Sequence, residues 1–123
     1  MPIKTYKHLN VYKEAYRLAL DVSKVTRRLP QHEQFELGKQ LRRAGRSVPA
    51  NIVEGWAKRT SAAEFRRYLM VAIGSCDESK FWLELGHDEG YLTGPEAVEL
   101  SNRFNVVGAM LKSLWKTWTT FAK

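Results

Sequence analysis

Four stretches of this chain place apolar residues at steps of three and four, and no stretch alternates apolar with polar residues over the length of a strand. That periodicity confines the fold to amphipathic helices packed on one another. The first series, Leu9, Tyr12, Tyr16, Ala19, Val22 and Leu29, keeps those steps up to a gap near Thr26, and Pro30 ends its helix. After a polar turn from Pro30 to Gln34, a second series runs through Leu37, Leu41, Ala44, Val48, Ile52 and Gly55. Pro49 lies inside it, where the missing amide hydrogen bond costs about 3 kcal/mol in an ordinary helix interior. A kink is expected there, eased by the absent side chain of Gly45.

Ser61 and Glu64 have the spacing of a capping box, in which each side chain satisfies a free amide of a new first turn. The third helix starts there, with a buried stripe of Phe65, Leu69, Ala72, Cys76, Ser79 and Leu83, and Gly86 or Gly90 supplies the positive-φ residue that closes it. A second box, Thr93 with Glu96, opens a fourth helix whose apolar positions are Ala97, Leu100, Phe104, Val107, Leu111, Leu114, Trp118 and Phe121. No internal repeat and no Ser/Gly-rich linker divides the chain, so residues 1–123 form one domain. The expected architecture is all-α: an antiparallel four-helix bundle in up-down-up-down order.

Charge narrows the partners. Twenty Lys and Arg face 13 Asp and Glu, a formal net charge of +7 with a pI near 9.7, which puts anionic partners ahead of cationic ones. The charge is also unevenly spread: residues 68–99 hold one lysine against seven acids, whereas residues 100–123 hold four cations and no acid. In an antiparallel bundle one end collects Lys4, Lys7, Lys58, Arg59, Arg66, Arg67, Lys112, Lys116 and Lys123. The other collects Glu33, Glu36, Glu84, Asp88, Glu89, Glu96 and Glu99, partly offset by Arg27 and Arg28. A further basic group, Lys39, Arg42, Arg43 and Arg46, falls at 100° per residue on the side of the second helix away from Leu37 and Leu41, a solvent-facing ridge. Two readings of it stand side by side. Exposed helix faces are ordinarily charged and arginine favours helices, and guanidinium forks also match phosphate oxygens.

Catalytic and metal signatures are weak. Glu84 and His87 have the Glu-x-x-His spacing of di-iron bundles, but those sites use the motif twice with two further carboxylates, and here it occurs once. His8 and His32 have no partner at ligand spacing, and there is no glycine-rich phosphate loop, paired-acid site or nucleophile elbow. Neither enzyme activity, cofactor nor metal is expected. With Cys76 alone no intrachain disulfide forms. The start of the chain lacks the apolar run of a signal peptide and no stretch reaches the roughly 18 apolar residues of a membrane span, so the expected location is cytoplasmic. Trp115, Trp118 and Phe121 beside Lys112 and Lys116 read either as a basic membrane-surface helix or, better in register, as core or subunit contact. Trp56 and Trp82 are read as exposed, available to stack on unpaired bases or to fill a subunit interface.

The stretches Gln40-Leu41-Arg42-Arg43-Ala44 and Ser47-Val48-Pro49-Ala50-Asn51-Ile52-Val53-Glu54-Gly55, followed by Glu64-Phe65 with Leu69, Ala72 and Gly74-Ser75, resemble the signature of the bacterial four-helix bundle proteins encoded in intervening sequences of 23S ribosomal RNA genes. The likeness extends from Leu9 and Tyr12 through Leu29-Pro30 to Gly90-Tyr91-Leu92. That family is similar in turn to the accessory variability determinant proteins of diversity-generating retroelements, which form basic, barrel-like pentamers and bind nucleic acid and a reverse transcriptase. The resemblance implies a ring-like homo-oligomer, by analogy a pentamer, associated with RNA or DNA, with a reverse transcriptase as a partner by analogy only. Within the signature, Asn51 and Glu54 are placed to bond across a helix or subunit boundary, and Gly55 and Gly74 to let helices approach closely. The leading expectation is a non-enzymatic nucleic-acid-binding accessory protein that contacts phosphate through Lys39, Arg42, Arg43, Arg46, Lys58, Arg59, Arg66 and Arg67. The alternative is a structural or protein-interaction module without nucleic-acid affinity.

Overall fold

The computed structural model describes residues 3–121, with side chains as far as residue 118. The expectations for the Phe121 side chain in the core and for Lys123 at the basic end therefore fall outside the described side chains. Four long helices make up the fold: α1 (Asn10–Thr26), α2 (Leu37–Ala57), α3 (Ala62–Asp88) and α4 (Gly94–Phe121). A 3-10 turn at Tyr6–His8 precedes α1, and a single helical turn at Gln31–Gln34 stands in the α1–α2 connection. Among the described residues there is no strand.

Paired contacts set the topology. Val22 packs on Gly45 and Leu29 on Gly38, Phe65 on Gly55 and Leu37 on Gly86, Lys80 bonds Asn105 at 2.8 Å and Trp118 meets Phe65, and Arg103 bonds Asp21 at 2.8 Å while Arg28, just past α1, bonds Glu96. In each pair of helices the residue numbers run in opposite senses, so every neighbour is antiparallel. Each helix touches two others, with α1 and α3 at opposite corners of the square. This is the up-down-up-down bundle.

The buried stripes of α2, α3 and α4 fall where the periodicity places them. Leu37, Leu41, Ala44, Val48, Ile52 and Gly55 are buried, as are Phe65, Leu69, Ala72, Cys76, Ser79 and Leu83, and Ala97, Leu100, Phe104, Val107 and Leu111. Leu114 and Trp118 are half-buried against that core. α2 is continuous through Pro49. The expected α1 series holds at its ends, where Leu9, Val22 and Leu29 are buried, and fails in the middle: Val11, Ala15 and Leu18 are buried there with Thr26 beyond them, whereas Tyr12 and Ala19 are half-buried and Tyr16 is 50% exposed. Both series have steps of three and four. The tyrosines lie instead at the bundle edge, where Tyr6 meets Tyr12 edge to face at 4.9 Å and Tyr12 meets Tyr16 at 5.9 Å, an arrangement suited to rings with an apolar body and a polar tip. Thr26 satisfies its buried hydroxyl by donating to the Ser23 carbonyl at 3.0 Å.

Local chemistry fixes the ends. Ser61 Oγ accepts from the Glu64 amide at 3.2 Å, but the Glu64 carboxylate turns to Arg67 instead of closing the box. The Thr93 box closes in both directions, at 3.2 and 3.1 Å, and the second carboxylate oxygen of Glu96 takes an ion pair from Arg28 that ties α4 to the end of α1. Gly90, at φ +87°, ends α3, with the Tyr91 amide bonded to the Gly86 carbonyl at 2.9 Å and the Gly90 amide to His87 at 3.0 Å. That is a Schellman closure, and only glycine adopts its left-handed position without strain.

Candidate nucleic-acid interface

The antiparallel order brings the N-terminal turn, the end of α2, the start of α3 and the end of α4 to one end of the bundle. Gly55 makes the junction tight: a Cβ there would lie 2.9 Å from both Phe65 Cδ1 and Tyr68 Cβ. Close approach packs an aromatic floor in which Trp118 lies 4.5 Å from Phe65 and 6.0 Å from Trp56, ring centroid to ring centroid. Trp56 is 7% exposed. It forms part of this floor and is not the free stacking platform its sequence position suggests, because Phe65 and Trp118 arrive from distant segments to cover it.

Cations lie on these rings. The guanidinium of Arg66 sits 3.6 Å from the Trp115 centroid, that of Arg59 4.3 Å from Trp56, that of Arg67 4.7 Å from Tyr68, and the Lys58 ammonium 4.9 Å from the same tyrosine. Ring stacking uses the face of a guanidinium and leaves donors in its plane for other partners. Arg59 spends one of them on the Trp56 carbonyl at 2.9 Å, while Arg66 Nε is buried without a hydrogen-bond partner among the described residues. Lys58 donates to Tyr68 Oη at 3.2 Å, which holds its ammonium above the ordinary lysine range. Two acids share this end. Glu64 accepts from Arg67 Nε at 2.9 Å, a bond that holds its carboxyl below the usual carboxylate range, and Glu54 stands 3.7 Å from Lys58. Lys112 and Lys116 on α4 add exposed positive charge.

The ridge on α2 is built differently. Lys39, Arg43 and Arg46 are exposed, but Arg42 is half-buried and folded back across the connection. Its guanidinium donates to Thr26 Oγ1 at 3.1 Å and to the Gln34 carbonyl at 2.8 Å, and the Gln34 amide donates in turn to the carbonyls of Thr26 and Leu29 at 2.9 and 2.8 Å. Gly38 makes room for it, since a Cβ there would lie 2.8 Å from Arg42 Nη1. Arg42 is therefore a clamp between α1, the single turn and α2. Arg46 reaches Ser23 Oγ at 3.4 Å. Phe35, 75% exposed, borders the ridge, and periodicity does not single it out because it lies in the connection.

The signature polar residues are structural within the chain. Asn51 donates to the carbonyl and hydroxyl of Ser47, one turn back, at 2.8 and 2.9 Å, and Ser47 Oγ lies 2.8 Å from Ser75 Oγ on α3. The link between α2 and α3 is thus a serine pair, with Asn51 behind it, and Glu54 faces solvent beside Lys58. A Cβ on Gly74 would meet nothing within 4 Å, so the close approach expected there does not occur inside the chain. Burial pushes the Cys76 thiol up to about 12. Glu84 and His87 both border a groove between α3 and α4, and among the described residues no group of three His, Cys, Asp or Glu is placed to hold a metal. Trp82 is half-buried and donates to Glu78 at 3.0 Å. Among the described residues no helix is long and apolar enough to cross a membrane.

The model of one protein family, described as 23S rRNA-intervening sequence protein, matches residues 7–113. Among solved structures, a protein of unknown function from the S23 ribosomal protein family of Bacteroides thetaiotaomicron is similar, with 28% identity and a TM-score of 0.80 over 87% of this chain and 96% of that one. No curated protein matches.

Proposed function

The chain belongs to the 23S rRNA-intervening sequence protein family, and from that premise we propose that it is a non-enzymatic accessory protein that binds the phosphate backbone of RNA or DNA as a cytoplasmic homo-oligomer. The observation that carries this reading is the end of the bundle where Lys58, Arg59, Arg66 and Arg67 lie over Tyr68, Trp56 and Trp115. Cations laid on rings lose side-chain freedom before a ligand arrives, so less is lost when phosphate binds. Lys39, Arg43 and Arg46 extend the basic surface along α2. Contacts of this kind read charge and backbone geometry, not base sequence. A reverse transcriptase as protein partner, and five subunits in the ring, rest on the sequence likeness to accessory variability determinant proteins alone.

The test is the affinity of nuclease-treated protein for structured RNA and duplex DNA across a salt series. Replacing Arg59, Arg66 and Arg67 together by Gln, with helix content verified, should flatten the log-log salt slope by about 0.9 for each duplex phosphate that is no longer neutralised, and replacing Lys39 and Arg43 should flatten it less. Absence of binding at low salt would sink the reading. It would leave the second one, a protein-interaction scaffold, which the exposed Met70, Phe81 and Val98 favour.

A further inference from the structure

We propose that copies of this chain join through unlike faces: the outer side of α1 from one copy seats in the groove between α3 and α4 of the next. The inference rests on the homo-oligomer part of the function proposed above. The groove has a volume of about 640 Å³ and carries two large apolar side chains at its lips, Phe81 at 54% and Val98 at 59% exposure. Its floor is made of small residues, Gly94, Ala97 and Ser101, which keep it open. On α3 the residues Gly74, Asp77, Phe81, Glu84 and Asp88 fall on one outer stripe at 100° per residue. Gly74 stands mid-helix with nothing within 4 Å of a Cβ, and so does Gly108 on α4. Glycine weakens a helix interior relative to alanine, and among the described residues nothing approaches either position to use the space.

The outer side of α1 has the complementary character. Tyr16 and Leu20, each 50% exposed, lie one turn apart and form an apolar ridge. Around them on the same face stand Lys13, Arg17, Lys24 and Arg27, of which Arg17 bonds Glu14 at 2.8 Å and Lys24 lies 3.9 Å from Asp21, so that Lys13 and Arg27 leave the face an excess of positive charge. The groove stripe brings Asp77, Glu84 and Asp88 against a single lysine, Lys80, which already bonds Asp77 and Asn105. An apolar ridge flanked by cations thus meets an apolar groove flanked by acids, which orients the contact and selects against groove-to-groove or ridge-to-ridge pairing. Because α1 and α3 occupy opposite corners of the bundle, one copy offers both faces at once. Such a head-to-tail contact closes into a ring when its rotation permits. It leaves the aromatic and basic end of each copy outside the contact.

The native mass of the full chain, measured by light scattering on a sizing column, tests this with two single variants, Leu20→Asp and Phe81→Asp. Each variant breaks one face and keeps the other. Each alone should fall to the 14.2 kDa of the single chain with helix content unchanged. Their equimolar mixture should rise to twice that mass and stop, because the intact groove of one accepts the intact ridge of the other and no third copy can add. Tyr16→Asp and Val98→Asp form a second pair should either first variant misfold. If the unsubstituted chain is oligomeric and the variants keep its mass, the assignment of faces is overturned while the oligomer stands. Variants that stay single-chain on mixing overturn the ridge-in-groove pairing, and an unsubstituted chain that is monomeric at all concentrations overturns both.

Discussion

The ridge of α2 and the aromatic end of the bundle carry the same kinds of cation, yet what lies beneath the side chains sets them apart. On the ridge, Arg42 bends over Gly38 and spends its donors on Thr26 and Gln34, so the residue central to the group is part of the fold. At the end of the bundle, Arg59, Arg66 and Arg67 rest on rings, and where they also donate it is through one bond each, Arg59 to the Trp56 carbonyl and Arg67 through Nε to Glu64. Backbone carbonyls and hydroxyls consume a guanidinium's donors, whereas a ring consumes its face. Availability for phosphate is therefore decided by the contact partner and not by the helical wheel.

Arg42→Gln separates the two regions most clearly. The substitution leaves the Gln34 carbonyl and Thr26 hydroxyl without their charged donor, and hydrogen bonds to charged groups are worth about 1.5–3 kcal/mol. Urea unfolding should show a loss of that size. Nucleic-acid affinity of the folded fraction should stay where it was. A variant with unchanged stability and weakened binding would return Arg42 to the phosphate-contacting surface.

A second experiment keeps the charge and changes only its shape. Arg66→Lys removes a planar cation held 3.6 Å from Trp115 and should cost about 1 kcal/mol of stability, in line with a partly desolvated cation–π contact. Arg43→Lys, on the exposed ridge, should stay within about 0.5 kcal/mol of the parent. Equal effects at the two positions in matched denaturant titrations would show that the ring beneath Arg66 gives it no special standing.

Most of the bundle is legible in the chain because α2, α3 and α4 each offer one apolar series, with capping residues at the starts of α3 and α4 and a closing glycine at the end of α3. α1 is not, since Tyr12 and Tyr16 on one side and Val11, Ala15 and Leu18 on the other are equally periodic, and only the neighbours decide which series is buried. The basic end is legible as charge, from antiparallel order alone. Its aromatic floor is not, because Trp56, Phe65 and Trp118 come together from three helices. The role of Arg42 is hidden for a similar reason: its partners lie 8 and 16 positions away, and the one local hint is a glycine a turn before it. Periodicity reports which side of a helix faces inward, and it carries no information about where a long side chain then goes.

The smallest expected effect concerns the acid that competes for the basic end. Glu64 bonds Arg67 at 2.9 Å, and the same bond, followed by the charge of Arg67, holds its carboxyl below the usual carboxylate range. A depressed carboxyl stays ionised throughout the neutral range and accepts a proton only at pH values under that of a free glutamate. Near neutral pH it therefore occupies a donor that phosphate would otherwise take. Glu64→Gln removes the charge and leaves the Ser61 cap in place, because that cap uses the Glu64 amide and not its side chain. Affinity for RNA or duplex DNA should rise about two- to fivefold at low salt. The gain should shrink as salt rises and vanish in a background of Arg67→Gln. The corresponding exchange of an acid away from the ring-stacked cations, Glu14→Gln beside Arg17 on α1, should leave affinity unchanged. If both exchanges raise affinity alike, the gain comes from net charge alone and the aromatic end holds no privilege over the rest of the basic surface.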